Sequence, residues 1–154
     1  MLKIISAETS GQIVQVRELF QEYAVFLGFD LCFQGFEAEL AGLPGEYAPP
    51  GGRLLLALDD DRAAGCVALR MIAADICEMK RLFVRAEFRG RGFGRALTAA
   101  IVQEARSGGY SRMRLDTVPA LVEAIALYRS LGFREIAPYY PNPIPGALFM
   151  ELDL

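Results

Sequence analysis

Apolar positions along the chain follow two different periods, and the change of period marks out the elements. Lys3–Ser6 is a short apolar strand, after which Ile13, Val16, Leu19, Phe20, Tyr23, Phe26 and Leu27 recur at three- and four-residue spacing. That spacing predicts a helix, capped by Thr9 or Ser10 and ending near Gly28. Phe33–Ala41 reads as a second helix, and Gly42–Gly52, with Pro44, Pro49 and Pro50, as a loop. Arg53–Leu58 and Ala63–Ile72 flank Asp59-Asp60-Asp61, the pattern of an antiparallel hairpin. Ala73-Ala74-Asp75 then turns the chain into a strand over Ile76–Val84. Beyond it, Gly90–Gly94 opens a helix to about Ser107, with Leu97, Ile101, Val102 and Ala105 on one face and Gly108-Gly109 ending it. Arg112–Asp116 is a strand, and Pro119 suits the first turn of a helix reaching Leu131, stopped by Gly132. Phe133–Ile136, a proline-rich loop over Pro138–Gly146 and a strand over Ala147–Asp153 complete the chain. The order predicts an α/β (α+β) fold: one mixed, mostly antiparallel sheet with helices on both faces.

Composition narrows the possibilities. A chain of 154 residues fits one domain and can bury roughly 70% of its unfolded surface. With 53% hydrophobic and 23% charged residues it reads as globular, and a net charge of −3 gives no bulk attraction for nucleic acid or an anionic membrane. No apolar run approaches the roughly 20 residues of a membrane span. Residues Met1–Ser6 do not resemble a signal peptide. Cys32, Cys66 and Cys77 form no CxxC pair and suit a reducing, cytoplasmic setting. The sequence has no histidine, which excludes Ser-His-Asp and Cys-His nucleophiles and His-ligated zinc, so no metal is expected. Proton chemistry falls to carboxylates, tyrosine, lysine, cysteine or water.

Arg89-Gly90-Arg91-Gly92-Phe93-Gly94-Arg95 carries the most information. Its glycines permit positive φ and close backbone approach, and the following helix start presents free N–H groups to an anion. The arginines suit phosphate oxygens. A bland reading, a glycine-rich turn with solvated arginines, stands beside this one. The pattern is not a Walker loop, which needs GxxxxGK[ST]. A dinucleotide fold would use Asp116 for a ribose, but the third glycine of GxGxxG falls on Arg95. Residues Arg85–Arg89 also separate the strand from the first glycine.

Strand, short spacer, R-G-R-G-F-G and helix together resemble the acetyl-CoA signature, Q/R-x-x-G-x-G/A, of the GCN5-related N-acetyltransferase superfamily, with Arg89, Gly92 and Gly94 at its positions. Ala124-Ile125-Ala126-Leu127-Tyr128 followed by Leu131-Gly132-Phe133 resembles its second signature, and the element order matches throughout residues 1–154. Leu121 stands where many members carry asparagine. The resemblance implies a single N-acetyltransferase domain with acetyl-CoA as acyl donor. The pantetheine arm would pair with the backbone of Leu82, Phe83 and Val84, and the pyrophosphate would rest on the amides of Arg89–Arg95. A backbone N–H near Leu82 would polarise the thioester carbonyl.

The resemblance also implies catalytic roles. Tyr128 matches the tyrosine that in many members protonates the departing thiolate; its alternative is core packing. Glu78 matches in spacing the glutamate base of the histone-modifying members, and simple alternation places it in register with Leu82 and Val84. The other reading of Glu78 is an ion pair with Lys80, Arg81 or an arginine of a neighbouring strand. Acceptor specificity belongs to the loops. Tyr47, Tyr139, Tyr140 and Asn142 are candidate lining residues, and Arg70 a candidate partner for an acceptor carboxylate. Proline-stiffened apolar walls favour a small-molecule amine over a peptide. A non-catalytic acyl-CoA-binding module on the same fold stays open, as does a homodimer through exposed strands.

Overall fold

The computed structural model describes residues 1–154. Its seven strands are β1 (Leu2–Ser6), β2 (Arg53–Asp59), β3 (Arg62–Ala73), β4 (Ile76–Val84), β5 (Arg112–Thr117), β6 (Arg134–Ile136) and β7 (Leu148–Asp153). They form one sheet in the order β1-β2-β3-β4-β5-β7-β6, and β4 with β5 is its parallel pair. The other neighbours are antiparallel. Four α-helices cover it: α1 (Ser10–Leu27), α2 (Phe36–Ala41), α3 (Phe93–Ser107) and α4 (Val122–Ser130).

Alternation along β2 and β3 sorts side chains between two cores. Leu54, Leu56, Cys66 and Ala68 point to one face, where Val16, Leu19 and Phe20 of α1 meet them. Leu55, Ala57, Val67 and Leu69 point to the other, beneath Leu97, Ile101 and Ala105 of α3. Each large side chain buried here contributes roughly 1.5–3 kcal/mol. The start of α1 is fixed by a capping box. The Thr9 hydroxyl accepts from the Gln12 amide at 3.2 Å, and the Gln12 side chain accepts from the Thr9 amide at 3.0 Å. Gly28, left-handed at φ 77°, ends it.

Three expectations change. The helix read over Phe33–Ala41 is broken by left-handed Gly35, leaving a 3-10 turn at Cys32–Gln34 and a short α2. Pro119 lies outside α4, which begins at Val122 after non-helical Leu121. A side chain at Gly146 would meet the Pro119 ring at 2.9 Å, so the proline is packed against the 138–146 loop.

The third change decides the site. On β4, Lys80 pairs with Ala68 and Phe83 with Cys66, so Arg81 and Leu82 together face Val67. This is a β-bulge, with Arg81 left-handed at φ 62°. The Cys66 thiol donates to the Arg81 carbonyl at 3.3 Å, and Glu39 of α2 grips the Arg81 guanidinium at two 2.8 Å contacts. The bulge overturns the simple alternation that set Glu78 in register with Leu82 and Val84. Leu82 and Val84 pack with the α3-side core, while Glu78 and Lys80 stay on the α1 side with Phe83.

Candidate active site

Pairing between β4 and β5 stops at Glu78–Arg114. Beyond that point the strands part, and a cleft of about 820 Å³ opens between Met79–Val84 on one side and Leu115–Val118 on the other. Its floor is mostly apolar, and α4 contributes Ala124, Leu127 and Tyr128. Strand backbone that has lost its neighbour needs other partners, and an extended ligand can supply them. Thr117 Oγ1, beside this cleft, is the one buried side-chain oxygen or nitrogen without a hydrogen bond.

At one end the cleft meets the start of α3. Gly90 and Gly92 have φ near 80°, and the space a Cβ would occupy at Gly90, Gly92 and Gly94 is open. No side chain caps the helix, and its first bonded amide is Ala96, onto the Gly92 carbonyl. The amides of Phe93, Gly94 and Arg95 therefore point out unused, at the positive end of the dipole. Arg89 sits at the cleft, its guanidinium 4.5 Å over the Phe26 ring, and Nε donates to the Val84 carbonyl at 2.9 Å. Arg91 and Arg95 turn elsewhere: Arg91 to Asp59 at 3.1 Å, Arg95 to Ser130 at 3.1 Å.

On the α1 side, β4 and β5 each present a carboxylate beside the point where they part. Glu78 is 1% exposed and spoken for. Arg70, opposite it on β3, donates to Oε1 at 2.9 Å, and Tyr139 donates to Oε2 at 2.6 Å. Asp116 of β5 differs: it lines the cleft, and the Tyr140 hydroxyl and the Asn142 amide both donate to its Oδ2. Its Oδ1 is left available.

Tyr128 is 6% exposed, its ring tilted against Phe133 at a centroid distance of 5.6 Å. Its hydroxyl meets the cleft without a hydrogen-bonding side chain, and burial pushes the phenol well above its ordinary value, helped by nearby Tyr23 and Asp116. Tyr23 of α1 lines the same space, and burial pushes its phenol up to about 12. Both phenols are protonated near neutral pH.

A split sheet thus leads to an uncapped, glycine-rich helix start. Residues 13–133 match the Acetyltransferase (GNAT) family. The chain belongs to that family. An uncharacterized N-acetyltransferase of Schizosaccharomyces pombe is 45% identical, over 99% of this chain and 95% of its own length. An uncharacterized N-acetyltransferase of Dictyostelium discoideum is 32% identical, over 100% and 99%. In fold, the PaiA N-acetyltransferase of Thermoplasma acidophilum, solved in complex with coenzyme A, superimposes with a TM-score of 0.77. It is 16% identical and covers 100% of this chain and 99% of that one.

This GNAT protein is thus an acetyl-CoA-dependent acyltransferase acting on an amine acceptor, and its own geometry suits such a donor. The parted strand, the open glycine loop and the orphaned Thr117 hydroxyl form a continuous lining. Leu82, Phe83, Val84, Arg89, Gly90, Gly92, Phe93 and Gly94 all border the cleft; the side chains of Arg91 and Arg95 do not. Of the acceptor residues expected from the loops, Asn142 borders it and Tyr140 reaches it through Asp116. Tyr47 is a correction: at 3% exposure it packs edge-on against Phe20 in the α1-side core. Arg70 is another, since Glu78 and Glu46 already hold it. Tyr23, Gln34, Lys80 and Asp116 were not expected together at this cleft, because their meeting depends on the bulge and on the parting of β4 from β5.

Proposed function

We propose that the protein transfers the acetyl group of acetyl-CoA to the amine of a small molecule by direct attack, with both substrates bound together. The observation that carries this reading is the placement of Asp116 and Tyr128 in the one cleft that runs from the glycine loop to the 138–146 loop. Bound acetyl-CoA supplies an activated acetyl thioester and a thiol leaving group. The backbone of Leu82–Val84 and the amides of Phe93–Arg95 are the groups suited to hold it, with Arg89 beside them.

Transfer forms one N–C bond and breaks one C–S bond, so the chain's task is to manage two protons. An alkylammonium must lose its proton before it can attack. The free oxygen of Asp116 faces the cleft and suits both the ammonium and that proton. Tyr140 and Asn142 hold the other oxygen and fix the carboxylate's direction. Tyr128 presents to the cleft a phenol with no hydrogen-bonding side chain of its own, which suits it to donate its proton to the departing sulfur. Glu78, closed off by Arg70 and Tyr139, fits a supporting role better than that of the base. Thiol release from acetyl-CoA, followed across a panel of small amines, tests the proposal. Amine-dependent release is expected, whereas a protein that binds coenzyme A yet releases no thiol with any amine is a binding module.

A further inference from the structure

Lys80 is a buried cation with spare hydrogen-bonding capacity. Its side chain is 5% exposed, yet an ammonium carries three donors and only one has a close partner, Gln34 Oε1 at 3.0 Å. Glu78 Oε1 lies 3.8 Å away, beyond hydrogen-bonding distance, and already accepts from Arg70. Burial of an ammonium without acceptors is unfavourable, and the open side of Lys80 is the cleft. Arg81, next in the chain, borders the cleft as well, and its Nε and Nη2 are spent on Glu39.

The positions of Lys80 and Asp116 set the charges of what fits. Glu78 pairs with Arg114, so Lys80 and Asp116 stand at equivalent positions, each two residues past the last paired one, on strands that have parted. Gln34 and Tyr140 bridge them: Lys80 donates to Gln34, Gln34 Nε2 donates to the Tyr140 hydroxyl at 3.3 Å, and Tyr140 donates to Asp116. A cation and an anion thus face one cleft side by side. The complementary molecule carries both opposite charges, a carboxylate and an ammonium.

Resting on the acetyl-transfer reading above, we infer that the acceptor is a free amino acid, with its amine toward Asp116 and Tyr128 and its carboxylate held by Lys80. The carboxylate supplies the acceptors that Lys80 lacks, and the ammonium takes the free oxygen of Asp116. A plain alkylamine would leave the buried cation unanswered.

Calorimetry on protein saturated with coenzyme A tests this without turnover. The probes are the twenty L-amino acids and the same compounds with every carboxylate amidated. At least one amino acid should bind about tenfold or more tighter than its amide, as expected for a hydrogen bond to a charged group. Lys80→Met should bring that ratio near one, and Lys80→Arg, which keeps the charge, should retain most of it. Absence of discrimination in the native protein overturns the inference. So does an unchanged ratio in a folded Lys80→Met protein, or a loss confined to coenzyme A affinity. The two readings fail separately. Amine-dependent thiol release without carboxylate discrimination removes only this one, and selective amino-acid binding without thiol release removes only the transfer reaction.

Discussion

Tyr139 donates its hydroxyl to Glu78 Oε2 at 2.6 Å, on the side of the carboxylate away from Arg70. With Lys80 also within 3.8 Å, the two oxygens of Glu78 are turned toward protein. A proton acceptor needs an oxygen within reach of the amine, directly or through one water. The Glu78–Arg70 pair instead fastens β3 to β4 directly before the bulge, and Glu46 extends it to the loop that follows α2.

Glu78→Gln should therefore act on stability first. Loss of the charge weakens a hydrogen-bonded pair whose carboxylate is buried, at about 1–3 kcal/mol. Arg70 is partly exposed and keeps Glu46, which moderates the effect. Thermal melting should show the drop, while kcat of the folded fraction stays within about tenfold of the native rate. A loss of about 10²–10⁴-fold, recovering at high pH with an unchanged melting midpoint, would make Glu78 the base after all.

Gly94 offers a clean probe of the donor site. It lies in the first turn of α3, with φ outside the left-handed region and no atom near its would-be Cβ. Gly94→Val should therefore fold normally, since a helical position accepts a side chain at little cost. The added methyls would project into the space over the unused amides, and coenzyme A affinity should fall at least tenfold, about 1.4 kcal/mol. Gly92→Val is a poorer test because φ of 80° adds strain of about 1–3 kcal/mol whatever the ligand does. Calorimetry with coenzyme A on both variants checks this; native affinity in Gly94→Val would detach the loop from the donor.

The sequence carried the element order and the glycine-rich turn before α3 because both rest on strong local signals. Capping at Thr9, period-2 strands around Asp59–Asp61 and the glycine run before α3 are each written in adjacent residues. The bulge at Arg81 is not. A left-handed non-glycine residue leaves no mark in hydrophobic periodicity, and it is held by Glu39, 42 positions away. Its consequence was large: Glu78 fell on the opposite face from Leu82 and Val84. Asp116 was visible only as a ribose ligand for a fold the chain does not adopt. Its setting depends on Tyr140 and Asn142 crossing from the 138–146 loop.

Tyr128→Phe and Asp116→Asn should separate the two proton tasks. Removal of the Tyr128 hydroxyl should lower kcat by up to about 10²-fold, with little change in KM for acetyl-CoA, since under the proposed role a hydrogen bond to sulfur would strengthen as the bond breaks. Asp116→Asn keeps an oxygen for Tyr140 but cannot take a proton. Its kcat/KM for the amine should fall about 10²–10⁴-fold near neutral pH and recover in part at high pH, as free amine accumulates. Steady-state pH profiles on both variants read the difference. Native kcat in Tyr128→Phe, with chemistry shown to limit the rate, would return that tyrosine to core packing.

Lys80 gives the prediction a pH sign. Burial holds its ammonium below the ordinary lysine value, and Arg81 and Arg70 push the same way, while Glu78 and Asp116 oppose them. The charged form is the one that holds a carboxylate. Affinity for an amino-acid acceptor should therefore be full below this lowered value and decline as pH rises through it, earlier than an ordinary lysine would allow. The bound carboxylate itself favours the ammonium, so the complex should take up protons in that window. Lys80→Arg, charged at all relevant pH, should remove this component of the decline. The acceptor's own amine titrates in the same range and weakens its contact with Asp116, so the informative quantity is the ratio of the two proteins' dissociation constants at each pH. Calorimetry on coenzyme A-saturated protein, in buffers of differing ionisation heat, reports both affinity and proton uptake. A pH-independent ratio, with no proton uptake assignable to Lys80, would place the acceptor's carboxylate elsewhere in the cleft.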